Sequence, residues 1–320
     1  MSKDDQKDTA RKRHRQDESS KPSLLSAALG TSRETFMQAV KQAQKLAAPN
    51  VPQTTEEPTK TAAETKPGEQ IPLPGVVPWC PGKTAPMNNA IARTSLFAPN
   101  RPGRRKILDM VQLPAPDGCK LWYFGKQLCT GGDQDVYLVA CKLAASVGPD
   151  TPVIVNRAQF LKLMGWKDDS KKAYKWLKDA FDRIATGVLY YDVPTEEGAT
   201  HLISSLKLDK ESGQYFFTVP ADTFKLFGRD QFAYIDLEKR ALLTKKVDIG
   251  KWIQCYAGTH SKAVPHEISV ATLYKRMAYE GRIRDFRKYL EEALADLVNV
   301  GILEGASFYD NLRMVKWKRK

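Results

Sequence analysis

The 320-residue chain is poor in the residues that build metal and redox centres. Its five cysteines, at positions 80, 119, 129, 141 and 255, form no CxxC pair and are odd in number, so neither a zinc module nor a disulfide framework is indicated. They read as reduced thiols, mostly small core hydrophobes. Only four histidines occur: His14, His201, His260 and His266. None forms the HxH of a metal-dependent relaxase or the HxxR of a tyrosine recombinase. His266-Glu267 lacks the second histidine of HExxH, because position 270 is Val. No catalytic, cofactor or metal residue is assigned, and the chain is expected not to be an enzyme.

Long apolar runs are missing too. The longest spans Val136–Cys141, far short of the roughly 20 residues that a spanning helix needs. The polar N-terminus carries no apolar segment of a secretory signal. A cytoplasmic protein without a membrane partner is expected. Pro81-Gly82-Lys83-Thr84 contains GKT, but a phosphate loop needs glycine where Val77 stands, and prolines flank the motif instead of a strand and a helix. No nucleotide site is read from it.

Positive charge is plentiful. The chain has 50 Lys+Arg against 37 Asp+Glu, a formal net charge of +13. Residues 1–92 hold 13 against 10, so the remaining 228 residues hold 37 against 27. A basic folded body favours a polyanionic partner, most simply nucleic acid; the plain alternative is a solvated basic surface.

The first 89 residues divide into a tail, a short helix and a linker. Residues 1–23 carry the cluster Arg11-Lys12-Arg13-His14-Arg15, diluted by Asp4, Asp5, Asp8, Asp17 and Glu18, and read as a disordered solubilising tail. Over 31–47, Thr31-x-x-Glu34 fits a capping box and Phe36, Val40, Ala43 and Ala47 recur at helical spacing. From Pro49 to Pro86 lie nine of the 19 prolines, the mark of an extended linker. Order is expected from near Ala90.

The rest reads as two units, 90–230 and 231–320. In the first, strands Ile107–Val111 and Leu121–Phe124 precede a helix over Gln134–Ala145. The strand Val153–Val155, a helix over Arg157–Met164 capped by Asn156, and a turn at Gly165 come next. A basic helix, Lys171–Ile184, then places Ala173, Leu177, Ala180, Phe181 and Ile184 on one apolar stripe. A hairpin from Val188–Val193 and His201–Leu208 and a strand Tyr215–Val219 follow.

The second unit repeats the order. Strand Phe232–Leu237 and helix Leu242–Tyr256 lead to Ile268–Val270, where Ser269 caps a helix Ala271–Tyr279. Gly281 breaks the chain before a long helix, Arg282–Val298, with Phe286, Leu290, Ala293, Leu294 and Leu297 on its buried side. Val300–Glu304 and Leu312–Trp317 supply a hairpin about a turn near Gly305–Asp310.

Helix, turn, basic helix and hairpin is the outline of a winged helix-turn-helix, whose second helix enters the major groove while the hairpin lies along the neighbouring backbone. The expected fold class is α+β: two tandem winged helix-turn-helix domains preceded by a disordered N-terminal region. The DNA-contact candidates are Lys171, Lys172, Tyr174, Lys175 and Lys178 on the first basic helix, Arg282, Arg284, Arg287 and Lys288 on the second, and Lys316 on the last hairpin. Arginines suit guanine O6 and N7, and lysines suit phosphate. The competing readings are a two-domain transcriptional regulator or partition protein on a palindromic operator, and a scaffold whose basic faces bind acidic proteins.

The segment Ala92-Arg93-Thr94-Ser95-Leu96-Phe97, the Arg/Lys-rich stretch to Lys106, the strand pair and the helix start Asp133-Gln134-Asp135-Val136-Tyr137-Leu138 resemble the TrfA-type plasmid replication initiators, over roughly residues 90–320. The resemblance implies binding of directly repeated origin sequences (iterons) by monomers and opening of an adjacent AT-rich region. It also implies recruitment of the host's DnaA, replicative helicase and sliding clamp, and dimers that limit copy number. Leu96 and Phe97 match the pair implicated in contacts with the clamp and single-stranded DNA. Clamp-binding peptides usually start with Gln, whereas this segment reads Arg93-Thr94-Ser95-Leu96-Phe97, and the alternative is that the pair anchors the linker onto the first domain. No cofactor is implied.

Overall fold

Pro86 stands inside a strand rather than in the extended linker that the sequence suggested. The computed structural model describes residues 80, 82–99, 105–115, 120–193, 196–225 and 232–320. In it, β1 (Thr84–Asn88) pairs antiparallel with β11 (Phe232–Asp236), Pro86 opposite Tyr234. A two-stranded ribbon leaves alternate N–H groups outside the ladder, where a proline removes nothing. Order therefore begins ahead of Ala90. The tail, the helix expected over 31–47, the linker up to Trp79, and Cys119 lie outside the described residues.

Asn88 caps the short α1 (Asn89–Ala92), its side chain accepting from the Ala90 amide at 2.9 Å. The chain continues through β2 (Phe97–Ala98), β3 (Ile107–Leu113), β4 (Lys120–Lys126) and β5 (Leu128–Cys129) into α2 (Asp133–Val147). Val136, Tyr137, Leu138, Val139, Ala140 and Cys141 are all buried. A helix apolar around its whole circumference belongs in a core, and α2 is the centre of the first one.

The later elements run through one pattern twice. In its first occurrence β6 (Val153–Asn156) leads to α3 (Arg157–Leu163) and α4 (Lys171–Thr186), and the hairpin β9 (Ser205–Leu208) and β10 (Gln214–Thr218) closes a three-stranded sheet of order β6-β10-β9. In the second, α7 (Val247–Gly258) precedes β12 (His266–Ser269), α8 (Val270–Arg276), α9 (Ile283–Asn299) and the hairpin β13 (Leu303–Tyr309) and β14 (Met314–Arg319), in a sheet of order β12-β14-β13. Each time the strand ahead of the helix pair lies beside the last strand of the hairpin. Both first helices are capped as their sequences ask: Asn156 accepts from the Ala158 amide, and Ser269 from that of Thr272.

Other expectations change. The hairpin β7 (Val188–Val193) and β8 (Glu196–His201) does not flank the basic helix as a wing. It extends the other sheet, of order β3-β4-β7-β8, because β7 alternates buried Leu189 and Tyr191 toward the first core while pairing with β4. The wing position is taken by β9 and β10. The helix expected from Leu242 starts at Val247. Lys246 adopts a left-handed φ of 43°, and the Thr244 and Lys245 amides donate to the Asp296 carboxylate at 2.7 and 2.9 Å, which satisfies the backbone without a helix. The last hairpin turns at Asp310–Arg313, not at Gly305–Asp310, because the ladder absorbs Gly305 as an irregularity between Leu303 and Gly305.

Two hydrophobic cores result. One gathers Leu138, Phe160, Phe181 and Phe217, and the other gathers Trp252, Phe286, Leu290 and Trp317. Ala233 and Ile235 of β11, with Cys255 of α7, pack in the first core although they lie beyond residue 230. The cores are joined by a polar knot. Asp135 accepts from Arg240 Nε at 2.6 Å and pairs with Lys251, while the same guanidinium donates to Gln134 Oε1 at 2.7 Å and the Lys251 carbonyl at 3.0 Å. Arg240 lies in α6 (Leu237–Ala241), which with the short α5 (Ala221–Lys225) stands between the two repeats of the pattern. Asp133 takes Arg105 at 2.9 Å and Arg183 at 2.8 Å.

Candidate nucleic-acid interface

The five stripe residues of α4, Ala173, Leu177, Ala180, Phe181 and Ile184, are its buried residues. Phe181 packs on Phe160, Tyr215 and Phe217 with ring centroids 4.6–5.4 Å apart. That packing turns Lys171, Lys172, Lys175 and Lys178 outward, all exposed. Ser170 caps the helix at the Ala173 amide, 3.3 Å, and is itself held by Asp168.

The outward charge of α4 is partly matched. Lys175 pairs with Asp179 at 2.8 Å and Lys178 with Asp182 at 2.5 Å, each one turn along the helix. The pairing lowers the pKa of Asp179 and raises that of Lys178 through the hydrogen bonds to Lys175 and Asp182. Tyr174 is half-buried, with the Arg157 guanidinium 4.1 Å above its ring.

On α9 the buried stripe again matches: Phe286, Leu290, Ala293, Leu294 and Leu297, joined by Asp296. Phe286 meets Tyr274 and Tyr279, and Tyr274 Oη donates to the Gly281 carbonyl at 2.7 Å, fixing the turn between α8 and α9. Arg282, at the N-cap, makes no side-chain cap. Arg282, Arg284 and Lys288 are exposed. Arg287 is half-buried, and its Nε, shielded from solvent, has no hydrogen-bond partner. Arg284, Arg287 and Lys288, with Asp285 and Glu291, line a groove against the last hairpin, which contributes Phe308 and Leu312.

Lys316 lies on the face of the second sheet, paired with Glu267 at 2.9 Å, and Glu267 also accepts from Tyr309 Oη at 3.0 Å. The bond from Lys316 to the Glu267 carboxylate, with the charge of Glu267, raises the Lys316 pKa. Leu96 and Phe97 are elsewhere. They are 2% and 1% exposed, within the first core. Phe97 stacks on Tyr137 at 5.4 Å, and β2 pairs parallel with β5. The preceding residues are tied to α7, Trp252 Nε1 donating to the Thr94 carbonyl at 3.0 Å and Arg93 to Thr259. In this conformation the pair offers no surface to a clamp or to single-stranded DNA, and anchoring of the chain onto the first core accounts for both side chains.

The structure thus gathers the candidates into two outward helix faces, with Lys316 on an adjoining sheet. Sequence reading missed Arg157, Phe308, Leu312 and Arg313. Sequence pattern puts Phe308 in the turn and Leu312 and Arg313 in the last strand, and Arg157 shows no signal until α3 and α4 are brought together.

No family model matches the sequence, and no curated protein matches it. Among solved structures, the chain is similar to domains 2 and 3 of RctB, with a TM-score of 0.48 at 14% identity over 69% of this chain and 94% of that one. It is similar to the Pi initiator protein, crystallised in complex with iteron DNA, with a TM-score of 0.44 at 15% identity over 58% of this chain and 88% of that one. A third likeness is the WH1 domain of MSBI1.176, a replication protein isolated from a multiple sclerosis patient, at TM-score 0.24 and 14% identity over 28% of this chain and 74% of that one. Likenesses of this degree carry no functional argument.

Proposed function

We propose that the chain binds duplex DNA through two winged-helix units, with α4 and α9 entering successive major grooves. The observation that carries this reading is the doubled pattern: twice, a strand, a helix pair whose first helix is side-chain capped, and a hairpin that closes a three-stranded sheet with that strand leave the N-terminal half of the second helix basic and outward. The resemblance to TrfA-type initiators extends the proposal to a role. The protein initiates plasmid replication at direct repeats, opens an adjacent AT-rich tract, engages host DnaA, helicase and clamp, and exchanges between monomer and dimer. The groove-lining arginines support base contact, and the lysines of α4 support phosphate contact.

Footprinting on fragments selected by the full chain from random and plasmid DNA, at two salt concentrations, tests the reading. Protected direct repeats, contacts about 10 bp apart, a steep salt slope and reactive unpaired thymines nearby are the expected result. A single protected palindrome without unpairing identifies a regulator instead. Binding without sequence preference identifies a scaffold.

A further inference from the structure

The two hairpin tips are built differently. In the first unit the tip Asp209–Gly213 is polar. Asp209 Oδ1 accepts from the Glu211 amide at 2.9 Å, and Gly213 supplies the left-handed residue at φ +68°. In the second unit the tip is Asp310-Asn311-Leu312-Arg313, with φ of 49°, 49° and 62° at the first three residues and the Arg313 amide donating to the Asp310 carbonyl at 3.0 Å. Asp and Asn tolerate the left-handed region, but leucine is disfavoured there, and glycine does the same work without strain. Leu312 is nevertheless held in it with 53% of its surface exposed. An apolar side chain kept in a strained backbone and left largely in water points to a contact made outside the molecule.

Leu312 lines the groove that also holds Arg284, Arg287 and Lys288 of α9, and exposed Arg313 follows it. With α9 in a major groove the hairpin crosses the adjoining backbone, and its tip faces the minor groove. Leucine is among the side chains that enter a minor groove as wedges, unstacking a base step and bending the duplex. The narrow groove's negative potential favours an arginine alongside.

We propose that Leu312 is such a wedge: it enters the minor groove beside the site gripped by α9, parts one base step and bends the DNA. This rests on the duplex-binding reading of α9 and assigns it a distorting element. It places the distortion in the second unit alone, because the first tip carries no apolar residue.

The test uses the full chain and a duplex carrying the sequence that it selects from a random pool, labelled at both ends for energy transfer and with 2-aminopurine at successive steps. The wild type is expected to shorten the end-to-end distance and brighten one 2-aminopurine step. Leu312→Ala and Leu312→Gly are expected to bind within about tenfold of wild type while losing both signals, and Leu312→Met to keep them. Bending and unstacking by Leu312→Ala equal to wild type overturn the wedge. Tight binding by the wild type with no bend also overturns it while leaving the DNA-binding reading intact. Failure of the wild type to retain any duplex overturns both.

Discussion

Arg240 donates from Nε to Asp135 Oδ1 at 2.6 Å, and both side chains are buried where the two cores meet. Burial works to raise the Asp135 pKa, but Arg240 and Lys251 outweigh it and hold the carboxylate below its ordinary range. Removing Arg240 leaves the buried Asp135 with Lys251 alone and strips Gln134 Oε1 and the Lys251 carbonyl of their donor, so Arg240→Ala is expected to lower stability by about 3 kcal/mol in denaturant unfolding. A loss near zero would show that the two cores do not depend on this knot. Because the folded pKa lies below the unfolded one, the stabilisation is present above the unfolded value and is lost as pH falls through the folded one.

The histidine pair gives a second pH effect at a higher range. His260 and His266 rings stand 3.8 Å apart. Burial, then the neighbouring His266, pushes His260 from 6.5 to about 4. The unfolded chain therefore takes up protons that the folded one refuses, and stability falls as pH drops from 6.5 toward 4. Thermal melts of wild type and of a His260→Gln/His266→Gln double variant across that window check it; the variant's melting temperature is expected to decline less steeply.

The ion pairs on α4 mask two of its lysines. Asp179→Asn with Asp182→Asn frees Lys175 and Lys178. Affinity for any duplex is expected to rise, and the salt slope to steepen by roughly 1 for each freed lysine that reaches a phosphate. An unchanged slope in a salt titration would mean that this face does not meet DNA.

On α9, Arg284 is exposed at the groove and suits a guanine edge. Arg284→Ala is expected to cost about 1–3 kcal/mol on the selected sequence and to relax preference at one base pair. An unchanged ratio of specific to scrambled binding removes that assignment.

Phe97 belongs to the first core. Phe97→Ala is expected to cost about 3–5 kcal/mol of stability, read by denaturant titration, with any loss of clamp binding following the loss of fold. A variant that kept wild-type stability while losing clamp binding would restore the partner reading.

Local pattern made much of this legible. Both five-residue stripes emerged from helical periodicity and are buried as read, since an amphipathic helix has one economical way to face a core. The Asn156 and Ser269 caps follow from side chains within three residues of the amides that they satisfy. Pairing between strands is another matter. β7 has the alternation of any half-buried strand, and nothing within it says whether its partner is β9 or β4.

The sequence by itself determined α4 and α9, their inward faces and the clustering of cations at the start of each, because these depend on neighbours within one or two turns. Tertiary structure decided that Lys316 is matched by Glu267, that Leu96 and Phe97 are core residues, and that β1 closes on β11. Each of those depends on groups many positions apart being brought into contact. The free energies involved, desolvation and charge pairing, are set by that contact and leave no trace in local spacing.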